Sequence, residues 1–333
     1  MYDIITIGSA TRDVFLLSDK FTFLHSREFE TGIGECVSFG TKIDLNKVVF
    51  TTGGGATNAA ATFANLGYST AVMCRIGDDA AGRDLLTDLK SHGIKTDLVK
   101  KIAGGQTAYS TLLTAPNGER TALVLRGVSA TFSEKDIPWS KIKTRVIYLT
   151  SLGGNFLLSK KIIEKIKTPN TLIVWNPGKG ELKNGLGAFK KILSKVDIFN
   201  INREEAELLT NKKEIKEMLE ILNRKNGVTI ITDGPRGAYA LNNDKIWHAA
   251  TTGVRSISRT GAGDSFGSGF VAGYLRYDDL KKALAVGIIN AESVVQKVGA
   301  KAGLIKTWPT EKQIGKIKIN SVTKLQKTTK LQN

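Results

Sequence analysis

Histidine and cysteine are scarce in this chain of 333 residues, and no long apolar run is present. The two cysteines, Cys36 and Cys74, give no basis for a disulfide framework or a cysteine-rich zinc site. The three histidines lie far apart in the sequence, which gives little support to a catalytic triad that includes histidine. The apolar runs are too short to cross a bilayer, and the first residues lack the basic segment of a signal peptide. We therefore expect a cytoplasmic protein with no membrane partner.

Two common nucleotide-binding motifs are also missing. No Gly-x-x-x-x-Gly-Lys-Ser/Thr run occurs, so the sequence does not predict a P-loop NTPase. The run Gly53-Gly54-Gly55-Ala56-Thr57-Asn58 has asparagine where a dinucleotide fingerprint needs its third glycine. A second glycine-rich run, at 261–263, comes late in the chain and follows no clear apolar strand. Neither run predicts an NAD site.

Acidic residues are outnumbered by basic ones, and the net charge is +17. Such a charge favours nucleic acids, anionic membranes or phosphorylated small molecules as partners. The lysines are spread along the whole chain, however, and no pattern typical of an RRM or a zinc finger accompanies them. We interpret the charge as favouring anionic substrates, and we predict no nucleic-acid partner. Residues 311–333 contain six lysines and are expected to form a basic C-terminal tail.

From residue 70 onward, apolar runs typical of strands alternate with amphipathic helical patterns. This alternation predicts a three-layer α/β/α fold in which a mostly parallel sheet has helices on both faces. The candidate strands are 71–76, 146–150, 171–175, 196–201 and 228–232. The candidate helices are 156–166, 188–193, 212–222 and 265–276.

Two segments interrupt this alternation, at about 13–51 and 105–126. Both are rich in β-branched, aromatic and turn residues, and Asn117-Gly118 is a strong hairpin signal. We predict that the two segments pair with each other as a small β-sheet lid over the ligand edge of the central sheet. The sequence thus favours one domain at 1–310 with the lid segments inserted into it.

The run Gly261-Ala262-Gly263-Asp264 carries the most chemical information. Glycines allow consecutive backbone N–H groups to turn toward one point, and a helix N-terminus adds partial positive charge, so this turn can bind an anion. A carboxylate beside a bound phosphate is repulsive unless it accepts the proton of a hydroxyl that attacks the phosphorus. The alternative is an ordinary turn in which Asp264 interacts only with the helix dipole. The run by itself does not decide between the two.

Residues near the start of the chain are candidates for binding hydroxyl groups. Gly54 allows a ligand to approach the backbone closely, and Asn58 can both donate and accept hydrogen bonds, which suits neighbouring sugar hydroxyls. Asn58 as a simple helix cap is the alternative. Asp13 is expected in a loop just past the first strand, at the carboxyl edge where open α/β sheets bind ligands. An aspartate in a loop is also a common turn former.

Two further turns suit a nucleotide. Asn202-Arg203-Glu204-Glu205 follows a predicted strand and begins a helix, and Glu205 is either a solvated acid of the first helical turn or a group that holds magnesium through water. The turn from Thr232 to Gly237, which contains Gly234, also follows a predicted strand.

In this order and spacing, these segments resemble the ribokinase-like (PfkB) family of sugar and nucleoside kinases. The resemblance extends over about residues 3 to 305 and also includes Gly67, Gly77-Asp78-Asp79 and Gly82. It implies a ribokinase-like fold, an ATP-dependent kinase activity and a requirement for Mg²⁺.

The resemblance also implies a role for each site residue. Asp264 is expected to be the general base, and the amides of Gly261, Ala262 and Gly263 the anion hole. Residues that correspond to acceptor-binding positions are Asp13, Gly54 and Asn58. Residues that correspond to ATP-binding positions are Asn202, Thr232, Gly234, Gly237 and Asn290, and Glu205 is expected to act on Mg²⁺ through water.

The sequence departs from the family pattern in two places. Ser258-Arg259-Thr260 replaces the Asp-Thr-Thr that precedes Gly-Ala-Gly-Asp in many relatives, so activation by a monovalent cation is doubtful, and Arg259 becomes a candidate for an ATP phosphate. Ser151 and its neighbours follow a predicted strand where ribokinases have a sugar-contacting glutamate. D-ribose is therefore not predicted as the acceptor.

Several alternatives stay open at this point. The acceptor is a free sugar, a sugar phosphate, which the positive charge slightly favours, or a nucleoside, whose base would need aromatic residues of the lid. The aromatic candidates for that role are Phe21, Phe23, Phe29 and Phe39. A non-catalytic sugar or nucleotide sensor is a different class, against which the intact Gly-Ala-Gly-Asp argues. An exposed lid edge makes a homodimer plausible.

Overall fold

The computed structural model describes residues 1–115 and 120–322. The strands are β1 Tyr2–Ile7, β2 Thr11–Leu17, β3 Thr22–His25, β4 Ile33–Cys36, β5 Lys47–Gly53, β6 Thr70–Met73, β7 Arg75–Gly77, β8 Lys100–Ile102, β9 Ala108–Thr114, β10 Arg120–Leu125, β11 Thr144–Leu149, β12 Leu172–Trp175, β13 Ile198–Asn202, β14 Val228–Thr232, β15 Ala238–Asn242, β16 Lys245–Ala249 and β17 Ile319–Val322. The α-helices are α1 Gly55–Asn65, α2 Ala80–Ser91, α3 Phe156–Ile166, α4 Lys179–Leu182, α5 Gly185–Leu193, α6 Arg203–Thr210, α7 Ile215–Ile221, α8 Ala262–Tyr277, α9 Leu280–Val295 and α10 Glu311–Ile314.

The central sheet has the strand order β17-β16-β15-β14-β13-β12-β11-β1-β6. The six neighbouring strands β6, β1, β11, β12, β13 and β14 pair in parallel. The strands β15, β16 and β17 then extend the sheet beyond β14 in antiparallel pairs. The parallel strands are short apolar runs with almost fully buried side chains, as expected when helices cover both faces of a sheet. Because these strands are parallel, their carboxyl ends lie along one edge, where the turns that follow them come together.

Helices pack on the two faces of this sheet as separate layers. One apolar cluster contains buried residues of α3, α5, α6 and α7, and the other contains buried residues of α1, α8 and α9. The predicted three-layer α/β/α fold is therefore confirmed. The predicted helix at 156–166 coincides with α3, and the predicted strand at 228–232 coincides with β14. The predicted strand at 71–76 is divided between β6 and β7, and β7 pairs with β8 in a separate sheet.

A second, smaller sheet has the order β10-β9-β2-β5. Its parallel pair of β2 with β9 joins the two segments that the sequence singles out, so the lid forms from both of them as predicted. A separate hairpin of β3 and β4 belongs to the first segment. The hairpin signal at Asn117-Gly118 lies outside the described residues. The division of the chain into one domain with an inserted lid stays a prediction.

The expected C-terminal tail is wrong for residues 311–322. Residues 311–314 form α10, and β17 pairs with β16 as the edge strand of the central sheet. Ile314 and Ile317 explain this difference, because both are buried in the apolar cluster beneath α9. The lysines of this segment, Lys312, Lys316 and Lys318, alternate with these buried side chains. Residues 323–333 lie outside the described part of the chain. Within that part, the helices are too short or too polar to traverse a bilayer.

The apolar layer on the α3 side centres on stacked aromatic rings. The ring of Phe189 lies 4.8 Å from that of Trp175 at an interplanar angle of 5°, and both residues are fully buried. We expect Phe189→Ala to lower the free energy of unfolding by about 3–5 kcal/mol, because it leaves a cavity among rings that cannot all move inward. Urea denaturation measures this loss. Leu157→Ala, at a residue of α3 that is 75% exposed, is the control and should change stability by less than about 0.5 kcal/mol. Equal effects of the two substitutions would contradict this account of the core.

Candidate active site

The glycine-rich run at 261–263 forms the turn into α8. Gly261 has φ +82°, and a Cβ atom there would lie 2.5 Å from the Cβ of Ala300, so both the backbone conformation and the space require glycine. The amides of Gly261 and Gly263 make no hydrogen bond within the described part of the chain, whereas the Ala262 amide donates to the Arg259 carbonyl at 3.3 Å. Two of the three predicted anion-hole amides thus have no competing acceptor. Both stand at the positive end of a helix that continues to Tyr277.

Asp264 lies in the first turn of α8, and its carboxylate is held by a residue from the other end of the chain. The side-chain amide of Asn58 donates to its Oδ2 atom at 2.8 Å. Asn58 is buried in α1, so its side chain does not act as a helix cap, and its Oδ1 atom has no donor among the described residues. Burial raises the pKa of Asp264, whereas the hydrogen bond from Asn58 and the charge of Lys301 act in the opposite direction.

Gly54 sets the position of α1. It has φ +99°, and a Cβ atom there would lie 2.5 Å from the carbonyl oxygen of Ser9. The Ser9 hydroxyl accepts a hydrogen bond from the Gly55 amide at 3.1 Å. The start of α1 is thereby packed tightly against the turn that follows β1. Asn58, one turn into α1 from Gly54, contacts Asp264, and the binding of an acceptor by these residues stays a prediction.

Asp13 differs from expectation. It lies within β2 of the lid sheet, paired with Thr51 and Ser110, rather than in a loop after the first strand. Its residue is only 5% exposed, and burial raises the pKa of Asp13 to about 6, although hydrogen bonds with Ser110 and Thr11 favour the charged form. A turn-forming role is excluded, because the residue is extended and paired on both sides.

Four of the five residues predicted for ATP line one cavity of about 530 Å³ at the carboxyl edge of the sheet. Its lining includes Asn202, Thr232, Gly234, Gly237, Ala262 and Gly263. Asn202 and Thr232 are partners in the pairing of β13 with β14, which places the two turns side by side. The cavity therefore extends from the turn at 232–237 to the start of α8, where Gly263 precedes Asp264.

Four arginines also line this cavity: Arg120, Arg203, Arg236 and Arg259. Asp233 organises two of them, since its carboxylate lies 2.6 Å from Arg236 and 3.3 Å from Arg203. Burial opposes ionisation of Asp233, but the hydrogen bonds from these arginines hold its pKa below the usual value. The cavity thus combines backbone amides with guanidinium groups, which is the chemistry that triphosphates need. Arg259 is placed where the hypothesis of a phosphate contact requires it.

Asn202 and Glu205 form a reciprocal cap at the start of α6. The Asn202 side chain accepts from the Glu205 amide at 2.9 Å, and the Glu205 carboxylate accepts from the Asn202 amide at 2.9 Å. The pKa of Glu205 is raised to about 7, chiefly by burial and to a smaller extent by the charge of Asp264. Within residues 1–115 and 120–322, no group of three or more His, Cys, Asp or Glu side chains is arranged to hold a metal. A single carboxylate such as that of Glu205 fits Mg²⁺, because proteins commonly hold this ion through one or two carboxylates while water and substrate phosphates supply its other ligands.

Comparison with known proteins gives the family. Residues 1–307 match the pfkB family of carbohydrate kinases. This chain belongs to that family. An uncharacterized sugar kinase from Archaeoglobus fulgidus is 30% identical to this chain over 246 residues. The match covers 72% of this chain and 96% of the relative. An ATP-dependent 6-phosphofructokinase from Thermoanaerobacterium thermosaccharolyticum is 25% identical over 316 residues, or 90% of this chain and 89% of the relative.

Solved structures have the same fold. The nucleoside kinase of Methanocaldococcus jannaschii, an archaeal member of the ribokinase family, matches with a TM-score of 0.74 at 22% identity. The match covers 95% of this chain and 97% of that one. The resemblance that the sequence motifs predict is therefore confirmed, as is the assignment of the chain as an ATP-dependent kinase.

The prediction that Asn290 contacts ATP is wrong for this kinase. Asn290 is fully buried in α9, and its side chain donates to the Thr62 hydroxyl and the Ser265 carbonyl while it accepts from the Ile305 amide. These bonds use its hydrogen-bonding groups to join α1, α8 and α9. The neighbouring residues Ile288 and Ala291 line the nucleotide cavity instead.

Lys301 is the residue that the sequence motifs missed. Its side chain is only 7% exposed, and its ammonium group donates to Thr52 at 2.6 Å and to Asp88 at 2.9 Å. Burial lowers the pKa of Lys301, while Asp88 opposes that effect. The same positive charge favours ionisation of both Asp13 and Asp264. The only signal in the sequence is a lysine flanked by small residues, in Gly299-Ala300-Lys301-Ala302-Gly303.

We expect Lys301→Met to lower the free energy of unfolding by about 3 kcal/mol. That value is the low end of the range for breaking a buried ion pair, because the Asp88 side chain retains 30% exposure. Urea denaturation measures the loss, with Lys297→Met as the control at an exposed lysine of the same segment. The double variant Lys301→Met, Asp88→Asn should recover part of the loss, because it leaves no unpaired carboxylate. A Lys301→Met variant as stable as the control would show that the pair contributes little.

The pKa of Asp13 predicts a pH dependence of stability. It is about 6 in the folded chain, against about 3.9 in an unfolded chain, so protonation of Asp13 favours folding. This stabilisation is fully present below about pH 4 and is lost as the pH rises through 6, a change of about 3 kcal/mol. We expect Asp13→Asn to gain about that much stability relative to the parent between pH 4 and pH 7.5. Urea denaturation at both pH values measures the difference, and a pH-independent difference would contradict the raised pKa.

Proposed function

We propose that this kinase transfers the γ-phosphate of ATP to a primary hydroxyl of a sugar or sugar-like acceptor, with Asp264 as the general base. The position of Asp264 carries the proposal. Its chain neighbours Ala262 and Gly263 line the nucleotide cavity, while its carboxylate is bonded to Asn58, beside the expected acceptor site. A carboxylate between the two substrates can take the proton of the hydroxyl as the new P–O bond forms and the bond to ADP breaks.

The backbone at the start of α8 is proposed to stabilise the transferred phosphoryl group. The free amides of Gly261 and Gly263 and the dipole of α8 favour negative charge at this point. Ala262 contributes the third amide of the predicted anion hole, although its N–H makes a long bond to Arg259 in this structure. Since phosphoryl transfer depends mainly on positioning and electrostatics, this arrangement supplies most of what the reaction needs.

The turns at 202–205 and 232–237 are proposed to hold the nucleotide. Asn202, Thr232, Gly234 and Gly237 share the cavity with the arginines, which balance the charge of the phosphates. Bound Mg²⁺ neutralises charge on the phosphates, and we propose that Glu205, next in the chain to the lining residue Glu204, orients its water ligands. The pKa of Glu205, about 7, means that this group ionises readily only near neutral pH or when a cation approaches.

On the acceptor side, we propose that Gly54, Asn58 and Asp13 bind hydroxyl groups. Asn58 keeps a buried carbonyl oxygen without a protein donor, and an acceptor hydroxyl is a suitable donor for it. Asp13 lies on the lid strand β2, so closure of the lid over the acceptor would exclude water, which competes as a phosphoryl acceptor.

Asp264→Asn tests the proposed base. The substitution keeps the shape of the side chain but removes its ability to accept a proton, so kcat should fall by about 10²–10⁴-fold while ATP binding is kept. ADP release with the best acceptor measures kcat, and titration calorimetry measures ATP binding. In the parent enzyme, kcat should fall on acidification at a pH above the usual aspartate value of about 3.9, because burial raises the pKa of Asp264.

The matched control is Asp278→Asn. Asp278 lies at the other end of α8, exposed and in the left-handed conformation that asparagine also adopts readily. This variant should retain parent activity. If Asp264→Asn also retained nearly full turnover, another group would have to be the base. Loss of ATP binding together with turnover would indicate a structural role for Asp264 instead.

We also propose a cytoplasmic location and a homodimer that forms through the lid. Exposed apolar side chains on the strands of the lid sheet support the dimer: Val48, Phe50, Leu123, Val124 and Leu125. A second copy that paired with this sheet would remove them from water.

A further inference from the structure

A second cavity, of about 200 Å³, lies where the lid meets the turns after β1 and β11. Its polar lining consists of Ser9, Thr11, Ser110, Arg126, Ser129 and Ser151, and the remaining lining residues are glycine, alanine and valine. The described residues that line it include no carboxylate and no aromatic side chain. The cavity is therefore positively charged and rich in hydroxyl groups.

Arg126 is the only charged side chain in this lining. It follows β10 directly, is exposed, and makes no ion pair or side-chain hydrogen bond within residues 1–115 and 120–322. The Ser9 hydroxyl accepts from the Gly55 amide, so its own proton is available to a ligand. Glu181, behind Ser151, is fully buried, and its charge is taken up by the Ser151 hydroxyl and the amides of Leu152 and Gly154. A ligand in the cavity thus meets donors rather than a free carboxylate.

The cavity is close to the proposed base. Ser9 contacts Gly55, the first residue of α1, and Asn58 lies three residues further along the helix, a rise of about 4.5 Å. Asn58 in turn holds the carboxylate of Asp264. An acceptor of the size of a pentose or hexose can therefore place one end against Ser9 and a hydroxyl near Asp264.

We propose that the acceptor of this kinase carries an anionic group, a phosphate ester or a carboxylate, which Arg126 binds together with the hydroxyl of Ser9. This inference rests on the proposed function and names the class of its acceptor. A guanidinium group binds either anion through paired hydrogen bonds, and an arginine without a protein partner at a substrate cavity is suited to that role. A phosphate ester and a carboxylate bind arginine in the same way, so the experiment below compares sugar phosphates with sugar acids to tell which of the two the acceptor carries.

A nucleoside acceptor fits this cavity poorly, since the aromatic candidates for stacking lie elsewhere. Phe21 is buried, and Phe39 is fully exposed to solvent. Phe23 lines a different cavity, formed by the β3–β4 hairpin with Arg120, and the ring of Phe29 lies against Gly34 of the same hairpin. The lid aromatics therefore do not provide a stacking surface beside Ser9 and Arg126.

Arg126→Gln tests the inference through ADP release with three acceptor panels: neutral sugars and nucleosides, sugar phosphates, and sugar acids. The parent should have its highest kcat/KM with a sugar phosphate or a sugar acid. The substitution should raise KM for that acceptor by about 10–100-fold and leave KM for ATP unchanged, because a hydrogen-bonded charge is lost from acceptor binding alone. Arg83→Gln, at an exposed arginine of α2 without a side-chain partner, is the matched control and should leave both KM values unchanged. A neutral sugar or nucleoside as the best acceptor would overturn the inference while leaving the proposed function intact, as would an unchanged KM in Arg126→Gln.

A binding measurement keeps the inference testable even if none of these acceptors releases ADP, an outcome that would count against the proposed function. With the nucleotide cavity filled by a non-hydrolysable ATP analogue, inorganic phosphate should raise the Tm of the parent and of Arg83→Gln. It should raise the Tm of Arg126→Gln much less. Equal shifts in all three proteins would overturn the assignment of Arg126.

Discussion

The hydrogen bond between Asn58 and Asp264 is the contact on which the site depends. It joins α1 and α8, whose contributing residues are 206 positions apart, and it fixes the carboxylate of Asp264 next in the chain to Gly263, which lines the larger cavity. Burial raises the pKa of Asp264 and so disfavours the carboxylate form that a base requires. Asn58 and Lys301 counter that effect, one through a hydrogen bond and the other through its charge. The site is therefore a balance between desolvation and a small number of well-placed donors.

The same balance explains how the fold distributes its charge. The excess of positive charge is not concentrated in one surface patch, but the cavities at the carboxyl edge collect guanidinium groups. Acidic side chains near them are mostly paired, as Asp233 is with Arg203 and Arg236. Lys301 is similarly paired with Asp88 beneath the acceptor side. For the proposed anionic acceptor, the arginines of the two cavities would reduce its repulsion from a triphosphate.

Much of the fold and part of the site follow from local sequence. The alternation of apolar strands and amphipathic helices predicts the three layers, because each element must bury one face. The glycines at 54 and 261 are recognisable because each precedes a helix, and both prove to have positive φ with no room for a side chain. Prediction was weaker where a residue's role depends on distant partners. Asn290 is a residue type that often binds ligands, but its side chain forms its hydrogen bonds with Thr62, Ser265 and Ile305 of the protein. Residues 311–322 are rich in lysine like a solvated tail, but they include the edge strand β17 of the central sheet.

The sequence by itself determined the class of fold, the family and the turns that line the larger cavity, because these depend on periodicity and on glycine at particular positions. Tertiary structure alone decided which charged groups face each other. The burial of Asp13 in a lid strand, the ion pair of Lys301 with Asp88, and the position of Arg126 beside Ser9 all arise from segments far apart in the chain. Electrostatic energies vary with distance and burial, and neither quantity is encoded in the spacing of residues along the chain.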